Sequence, residues 1–508
     1  MHIADLLLEL EYKQIELSVK DGALAYKAPP GAFAGTLAEQ VKFHKQDLID
    51  LFQTVLIEPE QQSSHARESS EIPLTPWHGW YLETFNPVEH RWLVKRTVHL
   101  GGNARFELIG EAVHLVMDRY DTFRQRLFRR RDGKWALRML DAPGDPKLIL
   151  SDVTESTEER MHDIDKDVGR TLSIVDGPVL YVALCKNRAA GDELAVYFHH
   201  NIVDAYSVDS VVADIVSVYG QLMADQAVDS QAKPECSYAE YTGTLHRYMN
   251  GTMFLARSMS YWSDFVKAGA PRIPVDFAGG MHVVSNSRTV TLFVGPDVFL
   301  SGNASLVNDA LLVAAVTAIA DWSGSARVTM DVEHHGRGGH VPGIDFLEVI
   351  GPTTFKFPMR LDLEPNSLIS AKSFEAMRKR IVDATQHGLG YGFLRYLHPD
   401  PQVRSEFQEM QRAEVFFNNR TTLFVRGAPG ETKDTRQRRS SGVFKIESRG
   451  HPDLHDPYSH ELLIECDRTW DGIQVSLIYS GTIHKDESIV ELAETLLSTL
   501  QRIYVTCV

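Results

Sequence analysis

The sequence predicts a mixed α/β (α+β) chain: a small αββα unit, a polar linker, and two larger lobes. Three observations carry this expectation. Residues 1–57 show helix, hairpin and helix signals in a span too short to build an enzyme core. Residues 58–71 ("EPEQQSSHARESSE") have almost no apolar side chains and read as a linker. From Ile72 onward, strand-like runs such as "DELAVYFHH", "ARVTMDVEHH" and "GIQVSLIYSG" alternate with apolar helical stretches such as Ser207–Met223 and Leu492–Arg502. That region exceeds one ordinary domain, so two lobes are expected, residues 72–240 and 241–508.

In "IADLLLELEYKQ", Ile3, Leu6, Leu7 and Leu10 share one helical face. "IELSVKDGALAYKA" alternates through Ile15, Leu17 and Val19, breaks at Asp21-Gly22 and resumes at Leu24 and Tyr26, a hairpin signature. "TLAEQVKFHKQDLIDLFQ" predicts one second helix capped by Thr36. Such a unit suits an adaptor. Further on, "ALLVAAVTAIA" (Ala310–Ala320), preceded by Asn308-Asp309 as a cap, predicts a buried helix too short to span a bilayer. "RGAPGETKDTRQRRSSG" (Arg426–Gly442) reads as a solvated loop.

Lys+Arg of 52 against Asp+Glu of 68 gives a net charge of −16, which argues against nucleic acid as a partner. With no signal segment at the N-terminus, a cytoplasmic protein without a membrane partner is expected. Cys185, Cys236, Cys466 and Cys507 are scattered and form neither a CxxC motif nor a disulfide framework.

The stretch "AVYFHHNIVDAYSVDSVVADI" draws most attention. A strand runs into His199 and His200, and consecutive strand side chains point to opposite faces. The two imidazoles and Asp204 therefore make a poor metal site, and none is expected. One histidine should face inward and the other a cleft, where a neutral imidazole can take a proton from an amine or hydroxyl. Ser207 is expected to cap the following helix, leaving Asp204 in the turn to pair with an arginine or turn amides. Taken alone, such a pair is more readily read as two structural histidines. No nucleophile elbow, P-loop or dinucleotide fingerprint is present.

"HHNIVDAYS" resembles the HHxxxDG signature of nonribosomal peptide synthetase condensation domains. "IPLTPWHGWYLE" (Ile72–Glu83), "RYDTFRQRLF" (Arg119–Phe128), "YAEYTG" (Tyr238–Gly243), "YW" (Tyr261-Trp262) and "IGPTTFKFP" (Ile350–Pro358) resemble further motifs of that family, in its order. The first 57 residues resemble β-hairpin, TubC-type docking domains. The resemblance implies a V-shaped pseudo-dimer of two chloramphenicol-acetyltransferase-like lobes around a tunnel. It implies His200 as the catalytic residue, with His199 and Asp204 in support and Arg337 as a partner for Asp204. It also implies no cofactor held by the enzyme itself; 4'-phosphopantetheine arrives on an acyl or peptidyl carrier protein. Departures are Ala205 for the motif glycine, Tyr120 for a histidine and His78 for a glutamine. "EHHGR" (Glu333–Arg337) is similar to a motif of epimerisation domains, which makes Glu333 a candidate second acid/base.

The chain stops at Val508, directly after the last helix the resemblance implies, so a separate acceptor and a chain-release role are expected. The product would be an ester or an amide. An epimerase-like relative or a non-catalytic recruitment platform are the alternatives. Lys20 and Lys27 on the hairpin, with Lys42 and Lys45 on the second helix, would form a basic groove for a short acidic C-terminal tail of an upstream synthase protein.

Overall fold

The computed structural model describes residues 2–507 except 21, 56–70, 90–91, 153–156, 187–190, 230–233, 268–270, 296–297, 299–303, 339–340, 342–345, 364–368, 422–441, 449–457 and 470–471. Nearly all of the 58–71 linker and the 426–442 loop lie outside the described residues.

The N-terminal unit comprises α1 (Ile3–Tyr12), β1 (Glu16–Lys20), β2 (Ala23–Lys27), α2 (Gly35–Phe43) and α3 (Lys45–Val55). The hairpin pairs Glu16 with Lys27 through to Lys20 with Ala23, and Gly22 takes the left-handed φ of +76° that its tight turn requires. The single second helix expected here is two helices broken at His44. A bent pair lets Leu37, Val41, Leu48 and Phe52 all reach the small core of Leu6, Leu7 and Leu10, which one straight rod would touch at one end only. Helix α2 also starts earlier than expected: Ala34 is the boundary residue and Thr36 caps nothing.

The first lobe runs through β3 (Glu71–Ile72), α4 (Pro76–Thr84), β4 (Leu93–Gly101), α5 (Phe106–Arg119), β5 (Gln125–Arg129), β6 (Trp135–Met139), β7 (Lys147–Asp152), α6 (Thr157–Thr171), β8 (Leu180–Lys186), β9 (Asp192–His199) and α7 (Ala205–Met223). Its main sheet has the order β4-β9-β8-β7, with a small β3-β6-β5 sheet beside it. Helices α5 and α7 bury Ile109, Val113, Val116, Val208, Val211 and Ile215 against it.

The second lobe contains α8 (Tyr238–Met249), α9 (Thr252–Lys267), β10 (Ser287–Val294), α10 (Ala304–Ser323), β11 (Arg327–His334), β12 (Phe355–Asp362), α11 (Ala371–Gly392), α12 (Pro401–Gln408), β13 (Val415–Asn419), β14 (Gly442–Ser448), β15 (Leu462–Arg468), β16 (Ile473–Ser480) and α13 (Asp486–Cys507). Its seven-stranded sheet has the order β12-β11-β13-β15-β16-β10-β14. Helix α10 starts before the expected Asn308-Asp309 cap, and both residues serve inside it: Asp309 pairs with Arg378 at 2.7 Å and Asn308 accepts from Asn419 and Thr421. Its Leu306–Ser323 portion is long and apolar enough to cross a membrane, against the expectation of a short stretch, but 61% of it is buried inside the fold. Its apolar character is that of a core helix.

Helix α8 joins the lobes. Asp121 accepts from the amides of Tyr238 (2.9 Å) and Ala239 (3.0 Å) at its N-terminus, while Tyr238, Tyr241 and Leu245 enter the second core. A division at 240/241 would cut this helix. The N-terminal unit is tied to the body as well: Ala256 of α9 enters its core, and Glu11 meets Arg257 (2.5 Å) and Tyr248 (3.2 Å). The cysteines Cys185, Cys236 and Cys466 are free thiols.

Candidate active site

Strand β9 ends at His199, and the alternation of the strand separates the two imidazoles. His199 is fully buried and its Nδ1 accepts from the Asn201 amide at 3.3 Å. His200 turns the other way. Its backbone N–H donates to the Trp92 carbonyl (2.7 Å), and its ring lies against Trp92 (centroids 4.5 Å apart) and Trp77 (5.2 Å). Its Nδ1 is 2.9 Å from the Val203 carbonyl. A carbonyl only accepts, so Nδ1 carries the hydrogen and Nε2 keeps the lone pair of a neutral imidazole. Burial pushes the pKa of His200 below the ordinary histidine value, with Glu333 opposing and Lys356 reinforcing that shift. The ring is therefore neutral at pH 7 and able to accept a proton.

Asp204 is the cap of α7, and this corrects the role expected for Ser207. Its Oδ1 accepts from the Ser207 amide at 2.9 Å. The Ser207 hydroxyl instead donates across the lobe junction to the Gly351 carbonyl (3.1 Å) and accepts from the Gly351 amide (2.9 Å). Arg337, the partner expected for Asp204, reaches it with Nη2 at 2.8 and 2.6 Å. Thr353 adds its hydroxyl to the same carboxylate at 2.9 Å. Burial alone would raise the Asp204 pKa, but the Arg337 guanidinium and the donors around it hold the carboxyl below its ordinary value. Gly336, in "EHHGR", adopts φ +66°, and a Cβ there would meet the Thr353 carbonyl oxygen at 1.9 Å; only glycine lets Arg337 turn toward Asp204.

Glu333, on β11, stands directly opposite Lys356 of β12, with Nζ 3.5 Å from its carboxylate. Sequence reasoning missed Lys356 and the tryptophan wall of Trp77, Trp80 and Trp92. The signal was available: a lone lysine in the apolar strand "TTFKFPM", facing inward between two buried phenylalanines. Its Nζ lies 3.4 Å from the Trp80 ring centroid, 4.4 Å from that of Phe416 and 5.5 Å from that of Trp92. A cavity of about 430 Å³ opens beside these groups, lined among others by Asp204, Tyr206, Asn308, Glu333, His335 and Asn418. His200 is not among its lining residues; Asp204, at the end of the turn that follows it, is.

Two of the three departures from the family motifs, His78 and Tyr120, are packing positions. His78 is buried in a reciprocal cap with Thr75 (2.9 Å), and burial depresses its pKa to about 3. Tyr120 donates to Asp214 of α7 at 2.5 Å. In the N-terminal unit, Lys42 and Lys45 line a shallow groove with Leu17, Leu24, Tyr26 and Phe33. Lys20 and Lys27 do not line it; Lys27 faces Glu16 at 3.7 Å in an exposed pair. The expected four-lysine groove is an apolar one with two lysines.

This chain belongs to the condensation domain family, whose model matches residues 68–508, and the TubC N-terminal docking domain model matches residues 3–54. It is therefore a condensation domain of the nonribosomal peptide synthetase kind, preceded by a docking domain, and condensation domains are acyl or peptidyl transferases. One of the linear gramicidin synthase proteins of Brevibacillus parabrevis is 24% identical over 454 residues, 86% of this chain but only 6% of that protein. Among solved structures, the epimerization domain from the third module of tyrocidine synthetase B superposes with a TM-score of 0.72 at 22% identity, covering 86% of this chain and 98% of that one. The structure described for condensation domain-mediated chain release from the enacyloxin polyketide synthase superposes at 0.64 and 18% identity, covering 100% of this chain and 96% of that one.

Proposed function

We propose that this protein transfers an acyl chain from the 4'-phosphopantetheine thioester of a carrier protein to the hydroxyl or amine of a separate acceptor. His200 carries the reading: a neutral imidazole whose Nδ1–H is fixed by the Val203 carbonyl presents Nε2 as the proton acceptor. The acceptor O–H or N–H loses its proton to Nε2 as the nucleophile adds to the thioester carbonyl. Collapse breaks the C–S bond, and the pantetheine thiolate recovers the proton from His200. The products are an ester or amide and the free carrier thiol. Asp204, Arg337 and Ser207 hold the turn that aims His200. The cavity beside them offers the amide side chains of Asn308 and Asn418, which suit the amide groups of a pantetheine arm. Chain release is the role favoured by the full-length likeness in fold to the enacyloxin condensation domain. The docking domain would bring the enzyme to an upstream synthase protein through an acidic tail, and tethering makes a weak contact sufficient.

An epimerase-like reaction on a carrier-bound aminoacyl group is the second reading, favoured by the placement of Glu333 at the cavity wall. One assay separates the two. An acyl-loaded carrier protein is mixed with enzyme and a panel of free alcohols and amines, and the carrier and products are followed by mass spectrometry, with His200→Ala in parallel. Loss of the acyl group to an ester or amide, absent in the variant, supports the transferase. Exchange of the α-hydrogen with deuterium, without transfer, would replace it with the epimerase.

A further inference from the structure

The Glu333–Lys356 pair is a built feature in search of a purpose. Lys356 is 7% exposed, and a lysine is rarely buried to this degree without a specific reason. It comes from the second lobe, yet its ammonium sits among Trp77, Trp80 and Trp92 of the first. Trp77 and Trp92 stack on each other at 5.0 Å and are the two rings on which His200 lies. One aromatic cluster thus packs against both the imidazole and the ammonium, and Glu333 pairs with the ammonium at 3.5 Å.

We propose that Lys356 is a positioning residue for His200. From the opposite lobe it fixes the Glu333 carboxylate and sets a balancing positive charge against the same tryptophans that hold the imidazole. This rests on the reading of His200 as the acceptor-facing base. A base of this kind must be empty before the acceptor arrives and must bear a positive charge afterwards. Glu333 favours the imidazolium once the proton has transferred, and Lys356 keeps the ring from holding a proton beforehand. Either charge alone would bias His200 toward one of its two states.

The other charged groups nearby are already engaged. Asp331 bonds His460 at 2.9 Å, and Glu465 pairs with Arg420 at 3.2 Å. Arg337 is committed to Asp204 beyond Val203, while His199 points to the opposite face of its strand and His335, on the loop after β11, lies toward Arg337 and Asp204. Among the described residues, Glu333 favours and Lys356 opposes the charged form of His200. Burial pushes the Lys356 ammonium below the ordinary lysine range, and Glu333, Asp331 and Glu465 pull it back.

The test is the titration of His200 in the full chain carrying isotope-labelled histidine, read by NMR and assigned from the spectrum of His200→Gln. Glu333→Gln keeps the side-chain shape and should move the titration to lower pH. Lys356→Met keeps the aromatic box filled and leaves Glu333 at the cavity wall in contact with water, so it should move the titration to higher pH. The double variant should return toward wild type, and Lys356→Arg should stay near it. An unchanged titration in Lys356→Met, or a shift in the same direction as Glu333→Gln, overturns the proposal. If the opposed shifts appear but the wild type transfers no acyl group, the pair's role stands and the functional reading falls. If transfer occurs and the shifts are absent, the reverse holds.

Discussion

The nine residues His199–Ser207 feed two differently built halves of one lobe junction. On the Asp204 side, every charge is matched by a partner: Arg337 grips the carboxylate, Thr353 and the Ser207 amide donate to it, and Ser207 bridges to Gly351. On the His200 side, two tryptophans replace polar partners, and the imidazole keeps one backbone hydrogen bond. The first half is built from paired charges. The second is desolvated and left reactive. A buried charge matched by its partners holds a shape, whereas a part-buried base with a free lone pair can do chemistry.

The sharpest way to break this comparison is to remove one residue from each half. His200→Ala should cost about 10²- to 10⁴-fold in acyl transfer, in keeping with loss of a positioned base, while leaving thermal unfolding almost unmoved. Arg337→Ala should do the opposite first. Stripping the partner from a buried carboxylate costs about 3–5 kcal/mol, so the unfolding midpoint in urea should fall steeply, with activity lost as a consequence. Comparable activity losses with equal stability in both variants would erase the distinction between the halves.

A smaller effect concerns acid. His78 and His200 have folded-state pKa values below their unfolded value of 6.5, so below that pH the unfolded chain takes up protons that the folded chain refuses. Stability contributed by these groups is present above pH 6.5 and is lost as the pH falls toward the depressed folded values, about 3 for His78. Asp204 acts in the same direction at lower pH, since its depressed carboxyl loses its contribution only as the pH falls through the folded value. His78→Gln should flatten the fall of melting temperature between pH 6 and 4, and an unaltered slope would remove His78 from the account.

The least effect is expected in the docking domain, where the lysines are solvated. Lys42→Glu and Lys45→Glu should each weaken capture of an acidic peptide by several-fold, about 0.5–1 kcal/mol, and more at low salt. Lys20→Glu and Lys27→Glu, outside the groove, should do less. Equal losses at all four positions would restore the continuous basic surface expected from the sequence.

The secondary structure around the site was legible in the order of residues alone. Period-two alternation ran β9 into the histidines, so that His199 and His200 had to face apart, and the Asp-Gly step placed the hairpin. Such signals are local, set by backbone geometry within a few residues. Local reading failed where distant segments decide. The break at His44 depends on wrapping a small core, and the cap of α7 is Asp204 because Ser207 is needed across the junction by Gly351. Long-range packing alone brought Lys356, 156 positions beyond His200, against the same tryptophans. A lysine in an apolar strand announces that something unusual surrounds it. What surrounds it is set by the packing of two lobes, because burial and charge pairing are properties of the folded interface and not of any stretch of chain.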